Sequence, residues 1–339
     1  MARYFHFLIP IFIVHCSLFI VHCSAQDPIY SQFYAAPMQL NPAFAGNAYA
    51  PFIAANYRSQ FSSFNGGAAY STYSVSYDQF LEGLNSGIGI SLMNDDAGQG
   101  IYKKTYANVN YAYKIKINDD FSAKMGIQAG IIQTSLDWTK LIFYDQLDAQ
   151  TGPYNPNGEV RPSQETKPAS TTNTVFDVST GFLVYSPKFY AGFTAKHLTT
   201  PYIGFKSSNA GLIGIPIQWN VHAGYEITLA EATRSKPSTY VTPNIMVVKQ
   251  ADFMQIVGGA YAGFGSVFAG TWLRYSGAPE SVIALIGFRQ DYFKIGYSYD
   301  YTISGLSGKT GGTHEISFTV NLDPYRAKFD LNDCFQMFR

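Results

Sequence analysis

Beyond the first 25 residues the chain has three histidines, His197, His222 and His314. General-base chemistry needs such a ring beside a nucleophile and an orienting carboxylate. The three fall in three separate segments, none within a coherent constellation of that kind. His222 alternates in phase with Gln218, Asn220 and Glu226, the pattern of a wet lumen, and His314 has outward parity at a strand end. Asp145-x-x-Asp148 supplies two hard oxygen ligands on a loop, short of a calcium shell, so solvated carboxylates are the simpler reading. Gly66-Gly67 and Gly311-Gly312 lack the strand-to-helix setting of a phosphate loop and read as turns. The sequence therefore predicts no enzyme, no cofactor and no metal.

The one charged constellation it does predict joins Arg58, Asp300 and Glu315. Each lies on the polar parity of an alternating segment, two near the C-terminus and one near residue 58. If those segments are neighbours in a closed sheet, the three charges meet across its seam. Such a cluster would satisfy its own charges and fix register, with a ligand or gating role as the alternative.

The elements that must position it are strands. From Tyr292 to Leu322, Phe293, Ile295, Tyr297, Tyr299 and Tyr301 alternate with Lys294, Gly296, Ser298, Asp300 and Thr302. In the second arm Ile316, Phe318 and Val320 alternate with Glu315, Ser317, Thr319 and Asn321. An apolar face rich in Tyr, Phe and Ile opposite a small and charged face suits a wall between lipid and water. Fourteen such segments are predicted, near 52–60, 67–80, 86–94, 101–117, 120–134, 173–185, 188–198, 216–229, 238–248, 252–262, 265–275, 281–289, 292–302 and 313–322. Connections after even-numbered segments are short, and the three longest, Ser135 to Thr172, Thr199 to Ile215 and Ile303 to Gly312, fall on the opposite side. Short periplasmic turns and long outer loops are the rule for bacterial barrels. The predicted fold is all-β, a closed antiparallel transmembrane β-barrel of about 14 strands. Met254 to Leu273 is uncharged and long enough for a spanning helix with Gly259-x-x-x-Gly263 in it, but its halves alternate separately about a turn at Gly263-Phe264-Gly265.

Composition agrees. Only 14% of residues are charged and 16% are aromatic, against about 25% charged in ordinary soluble domains. A net charge of +0 excludes nucleic acid, which demands a basic excess. Residues 1–25 read as a signal peptide ending Cys23-Ser24-Ala25, with lipoprotein processing at Cys23 as the competing reading. Cleavage leaves Cys334 as the only cysteine, so no internal disulfide is expected. Residues 26–51 carry four prolines and an apolar content that needs cover, an irregular plug-like segment in the lumen or periplasmic mouth. Residues 52–322 form the barrel and 323–339 a periplasmic tail.

Six motifs occur in order along the mature chain: Gln32-Phe33; Asn41-Pro42-Ala43-Phe44-Ala45-Gly46; Tyr57-Arg58-Ser59-Gln60; Asp145-Gln146-Leu147-Asp148; Tyr297-Ser298-Tyr299-Asp300; and Gly312-Thr313-His314-Glu315-Ile316. As a set they resemble the PorP/SprF family, outer-membrane proteins of the type IX secretion system of Bacteroidota. The chain departs from that family at Ala149-Gln150-Thr151-Gly152 and at Asp333-Cys334-Phe335. The resemblance implies a barrel in the bacterial outer membrane that binds the C-terminal sorting domain of surface cargo proteins and works beside other type IX secretion components. The alternative expectation is a channel for hydrophobic small molecules of the fatty-acid-transporter kind, which also has an Asn-Pro-Ala-like segment; a plain porin comes third.

Overall fold

The computed structural model describes residues 26–48, 50–63, 68–205, 214–230, 239–290, 292–305 and 307–322. The predicted signal peptide and C-terminal tail lie outside them. The strands are β1 (Phe52–Gln60), β2 (Tyr70–Leu81), β3 (Ser86–Ala97), β4 (Tyr102–Lys116), β5 (Ser122–Leu136), β6 (Thr172–Tyr185), β7 (Phe189–Lys196) and β8 (Gln218–Tyr225). There follow β9 (Ile227–Ala230), β10 (Thr239–Gln250), β11 (Phe253–Phe264), β12 (Val267–Tyr275), β13 (Pro279–Gln290), β14 (Phe293–Thr302) and β15 (Thr313–Asn321). β8 and β9 both pair with β10 and are two pieces of one rib interrupted at Glu226, so the wall has 14 ribs.

Each rib pairs antiparallel with its sequence neighbour, and β15 returns to β1, with Arg58 opposite Glu315 and Tyr57 opposite Ile316. The Met254 to Leu273 stretch forms β11 and β12, joined by a turn in which Gly265 takes φ 60°. No helix among the described residues is long and apolar enough to cross a membrane.

The wall is inside out relative to a soluble protein. Val109 is 62% exposed and Ile286 59%, whereas Asn110, Ser298 and Glu315 are 0% exposed. Side chains alternate across a strand, so one face of every rib is apolar and turned outward while the polar face lines the interior. The described residues of links 82–85, 117–121, 186–188, 265–266 and 291–292 lie at one rim, and those of links 137–171, 197–217 and 303–312 at the other. These are called below the short-turn rim and the long-link rim.

Candidate functional site

The interior is occupied by the chain's own residues 26–48. Pro28, Pro37 and Pro42 deny this segment a continuous helix or strand, leaving one helical turn at Pro37–Leu40 and 3-10 turns at Phe33–Ala35 and Pro42–Phe44. Such backbone needs hydrogen-bond partners from elsewhere once buried. The wall provides them. Glu315 accepts from the backbone N–H groups of Ser31 (2.8 Å) and Gln32 (2.7 Å), and Asp78 from Gly46 (2.9 Å) and Asn47 (3.3 Å). Lys124 donates to the carbonyls of Ala45 (3.2 Å) and Gly46 (2.6 Å), Asn56 to Ala35 (3.1 Å), and Thr194 to Leu40 (3.2 Å). Lys196 donates to the Gln39 carbonyl.

The Asn41–Gly46 motif rests directly on the wall. Asn41 Oδ1 accepts from Ala43 N at 2.9 Å, capping the turn, while its Nδ2 donates to the carbonyls of Phe182 (3.0 Å) and Phe193 (3.2 Å). Close approach is possible because the wall is glycine there: a Cβ on Gly126 would collide with the Pro42–Ala43 backbone, and one on Gly181 with the Asn41 side chain. Phe44 packs on His222, which is fully buried and also lies against Tyr190, so at this depth the plug fills the space expected as open lumen.

Towards the long-link rim a buried charge cluster grips the plug. Arg58 Nη1 lies 3.0 Å from Glu315 Oε2 and 3.4 Å from Asp300 Oδ2. Arg274 adds a second guanidinium 2.9 Å from Asp300 Oδ2. Ser31 sits at the centre: both arginines donate to its Oγ at 2.6 Å, and its hydroxyl donates to Asp300 Oδ2 at 2.7 Å. Gln32 donates to Ser298 Oγ and the Glu315 carbonyl, both at 3.0 Å, and accepts from Ser317 at 2.6 Å. Two guanidiniums face two buried carboxylates, with the half-buried Glu280 a further 3.9 Å from Arg274, and the geometry can clamp a peptide.

A second clamp holds the first residues of the plug. Asp27 Oδ2 lies 2.6 Å from His197 Nε2, whose Nδ1 lies 2.8 Å from Asp177 Oδ2. Tyr106 donates to Asp27 Oδ1 at 3.0 Å. Burial disfavours charge on His197, but the two carboxylates outweigh it and raise its pKa to about 9. Burial likewise opposes ionisation of Asp27, and the attraction of His197 reverses this and holds it well below the usual carboxylate range.

The remaining motif residues lie in two other places. Tyr57, Tyr297, Tyr299 and His314 face outward; Tyr57 rests on Tyr73 at 4.9 Å between centroids, and His314 Nδ1 is 2.7 Å from the Tyr297 hydroxyl. Gln60 ends β1 opposite Thr313. In link 137–171, Asp145 accepts from Gln164 N and the Ser163 hydroxyl, and Asp148 from Gln150 N and Thr151 N. Gln146 Oε1 accepts from Phe143 N at 2.7 Å. These residues fold the link on itself.

A family model described as "Type IX secretion system membrane protein PorP/SprF" matches residues 22–320. The chain belongs to the PorP/SprF family. It is a β-barrel of the outer membrane and a membrane protein of type IX secretion. No curated protein matches the sequence. Among solved structures, a monoaromatic hydrocarbon channel, CymD, is 11% identical with TM-score 0.43, covering 85% of this chain and 92% of its own. BamA from Haemophilus ducreyi lacking POTRA domains 1–3 is 9% identical with TM-score 0.37, covering 80% and 69%. A Rhodopseudomonas blastica porin triple mutant is 8% identical with TM-score 0.33, covering 80% and 98%.

In this PorP/SprF barrel, sequence patterning pointed to Arg58, Asp300 and Glu315 but missed Arg274, Ser31 and the Asp27–His197–Asp177 clamp. Arg274 shares the inward parity of Trp272 on β12, a signal that was present. Asp27 carries no such signal, because an irregular segment has no period.

Proposed function

We propose that this barrel binds a cargo protein through its C-terminal sorting domain and helps to secrete or anchor it, acting at the long-link rim beside other type IX secretion components, with outer-membrane lipid around its wall. The observation that carries this reading is the plug. Residues 26–48 fill the lumen and are held at both ends by buried hydrogen bonds, by Glu315 and His197 near the long-link rim and by Asp78 and Lys124 near the other. The cavity beside it, lined by Tyr30, Phe33, Lys196 and Met246, measures about 30 Å³, room for about one water. A transport channel for hydrophobic molecules, or a porin, would first have to expel this segment. The long-link rim instead offers a folded surface with Tyr144 91% exposed and Leu147 53% exposed, the apolar anchors that protein partners use. Deletion of the gene is expected to abolish surface display of a specific cargo, and affinity capture from native membranes to recover that cargo through its C-terminal domain. Unchanged display of every surface protein would refute the reading.

A further inference from the structure

β6 outlasts its neighbour. It pairs with β5 along its whole length, from Thr172 opposite Ser135 to Tyr185 opposite Ser122. With β7 it pairs only from Thr180 to Tyr185. The chain leaving β7 turns away at two left-handed residues, His197 (φ 59°) and Thr200 (φ 41°). Fixed contacts then hold it towards the lumen: His197 between Asp27 and Asp177, the Ile203 carbonyl on Thr134 Oγ1 at 2.9 Å, and Tyr202 and Gly204 carbonyls on Asn173 Nδ2. The upper part of β6 is thereby left as a sheet edge.

The direction of its backbone groups follows from two bonds. Thr171 O accepts from Leu136 N, so odd-numbered residues here face β5, and Val178 O accepts from Leu198 N, so even-numbered ones face the open side. On that side Phe176 O takes the Thr199 hydroxyl at 3.3 Å, and Ser170 Oγ occupies both Thr172 N and Thr172 O. The Thr174 N–H and C=O and the Phe176 N–H have no partner among the described residues. Unpaired edges are normally blunted by charge or proline. This one carries Thr172, Thr174 and Phe176 on its outward face, β-forming residues with Phe176 59% exposed.

We propose that the β6 edge from Thr172 to Phe176 takes an extended strand of the cargo's sorting domain, joined to the wall by main-chain hydrogen bonds at Thr174 and Phe176. This rests on the cargo reading above. An extended backbone is the occupant because only it presents donors and acceptors at the two-residue period of this edge. Cargo is the source because link 137–171, the surface assigned to it, runs directly into Thr172. Side chains opposite Thr174 and Phe176 would be β-branched or aromatic.

The test is Thr174→Pro in the full-length protein in its native membrane. Proline removes the Thr174 N–H, one of the two unpartnered N–H groups turned to the open side, and leaves the β5 ladder, which Asn173 and Val175 carry. Folding is checked by the barrel's retained gel mobility, with Val175→Pro as the variant that should lose it. Loss of one main-chain bond should weaken cargo capture about fivefold. In parallel, a benzoyl-phenylalanine cross-linker at position 174 should join a strand of the sorting domain of a cargo whose display depends on the gene. Full display with a folded Thr174→Pro barrel, or cross-links confined to this chain or a second copy of it, overturns the inference. If display is also indifferent to gene deletion, the cargo reading fails with it; if deletion abolishes display, only the edge is refuted.

Discussion

Asp27 and His197 are 170 residues apart in the chain and 2.6 Å apart in the lumen, Oδ2 to Nε2. Through this contact one imidazole fastens the start of the plug, the β6 wall by way of Asp177, and the link that leaves β7.

The contact makes plug docking dependent on pH. His197 is raised from 6.5 to about 9, so its contribution is complete below about 6.5 and is lost as pH rises through about 9. Asp27 is lowered from 3.8, so its contribution is present above that value and lost only as pH falls through the depressed one. The first residues of the plug should be held most tightly between about pH 4 and 6.5. Amide exchange of residues 26–36, corrected for intrinsic rates, should show protection falling from pH 6.5 to 9. A His197→Gln barrel should show a flat profile; equal slopes in both proteins would exclude the clamp.

Arg58→Ala leaves Glu315 buried without its ion-pair partner, and Asp300 with Arg274 alone. Breaking a buried charged network from one side costs about 3–5 kcal/mol. The thermal or urea midpoint for loss of the folded gel mobility should drop accordingly. The double change Arg58→Met with Glu315→Leu should cost less than Arg58→Ala alone, since no unpaired charge is created. A double variant worse than the single would indicate that Ser31 and Gln32, not charge balance, dominate the site.

Much of the wall was readable because membrane and lumen impose a period of two on every rib. The predicted 52–60 matches Phe52–Gln60, and the predicted 313–322 ends one residue past Asn321. Parity alone put Arg58, Asp300 and Glu315 on the inner face. What parity does not report is what fills the interior. Ser31 meets both arginines, and Lys124 meets Ala45, only because an aperiodic segment threads a closed sheet. The single rib in pieces, β8 and β9, also read as one continuous segment, 216–229, since the break at Glu226 leaves the alternation of exposure intact.

Asp145 and Asp148 should act on the long link and not on the barrel. Their carboxylates organise Ser163, Gln164, Gln150 and Thr151, and hydrogen-bonding to the backbone N–H of Gln164 lowers the Asp145 pKa. Asp145→Ala should raise protease sensitivity between residues 137 and 171 severalfold and reduce cargo capture, with the unfolding midpoint of the barrel unchanged. Added calcium should not restore the link. Recovery by calcium would mean that the aspartates hold an ion.

Gly126 gives the most direct access to the plug. A Cβ there would collide with the Pro42–Ala43 backbone, and that turn is stopped from yielding by Asn41, tied to Phe182 O and Phe193 O on the next two ribs. The wall itself should tolerate the change, because alanine in a strand satisfies the same ladder to β4 and β6. Gly126→Ala should therefore displace the Asn41–Gly46 turn and break bonds worth roughly 1 kcal/mol each, while the barrel stays folded. Planar-bilayer conductance should rise from near zero towards that of a barrel lacking residues 26–48, and exchange protection at Ala43 and Phe44 should fall. A folded Gly126→Ala barrel with unchanged conductance and protection would show that the plug is anchored independently of this cradle, by the Glu315 and His197 clamps alone.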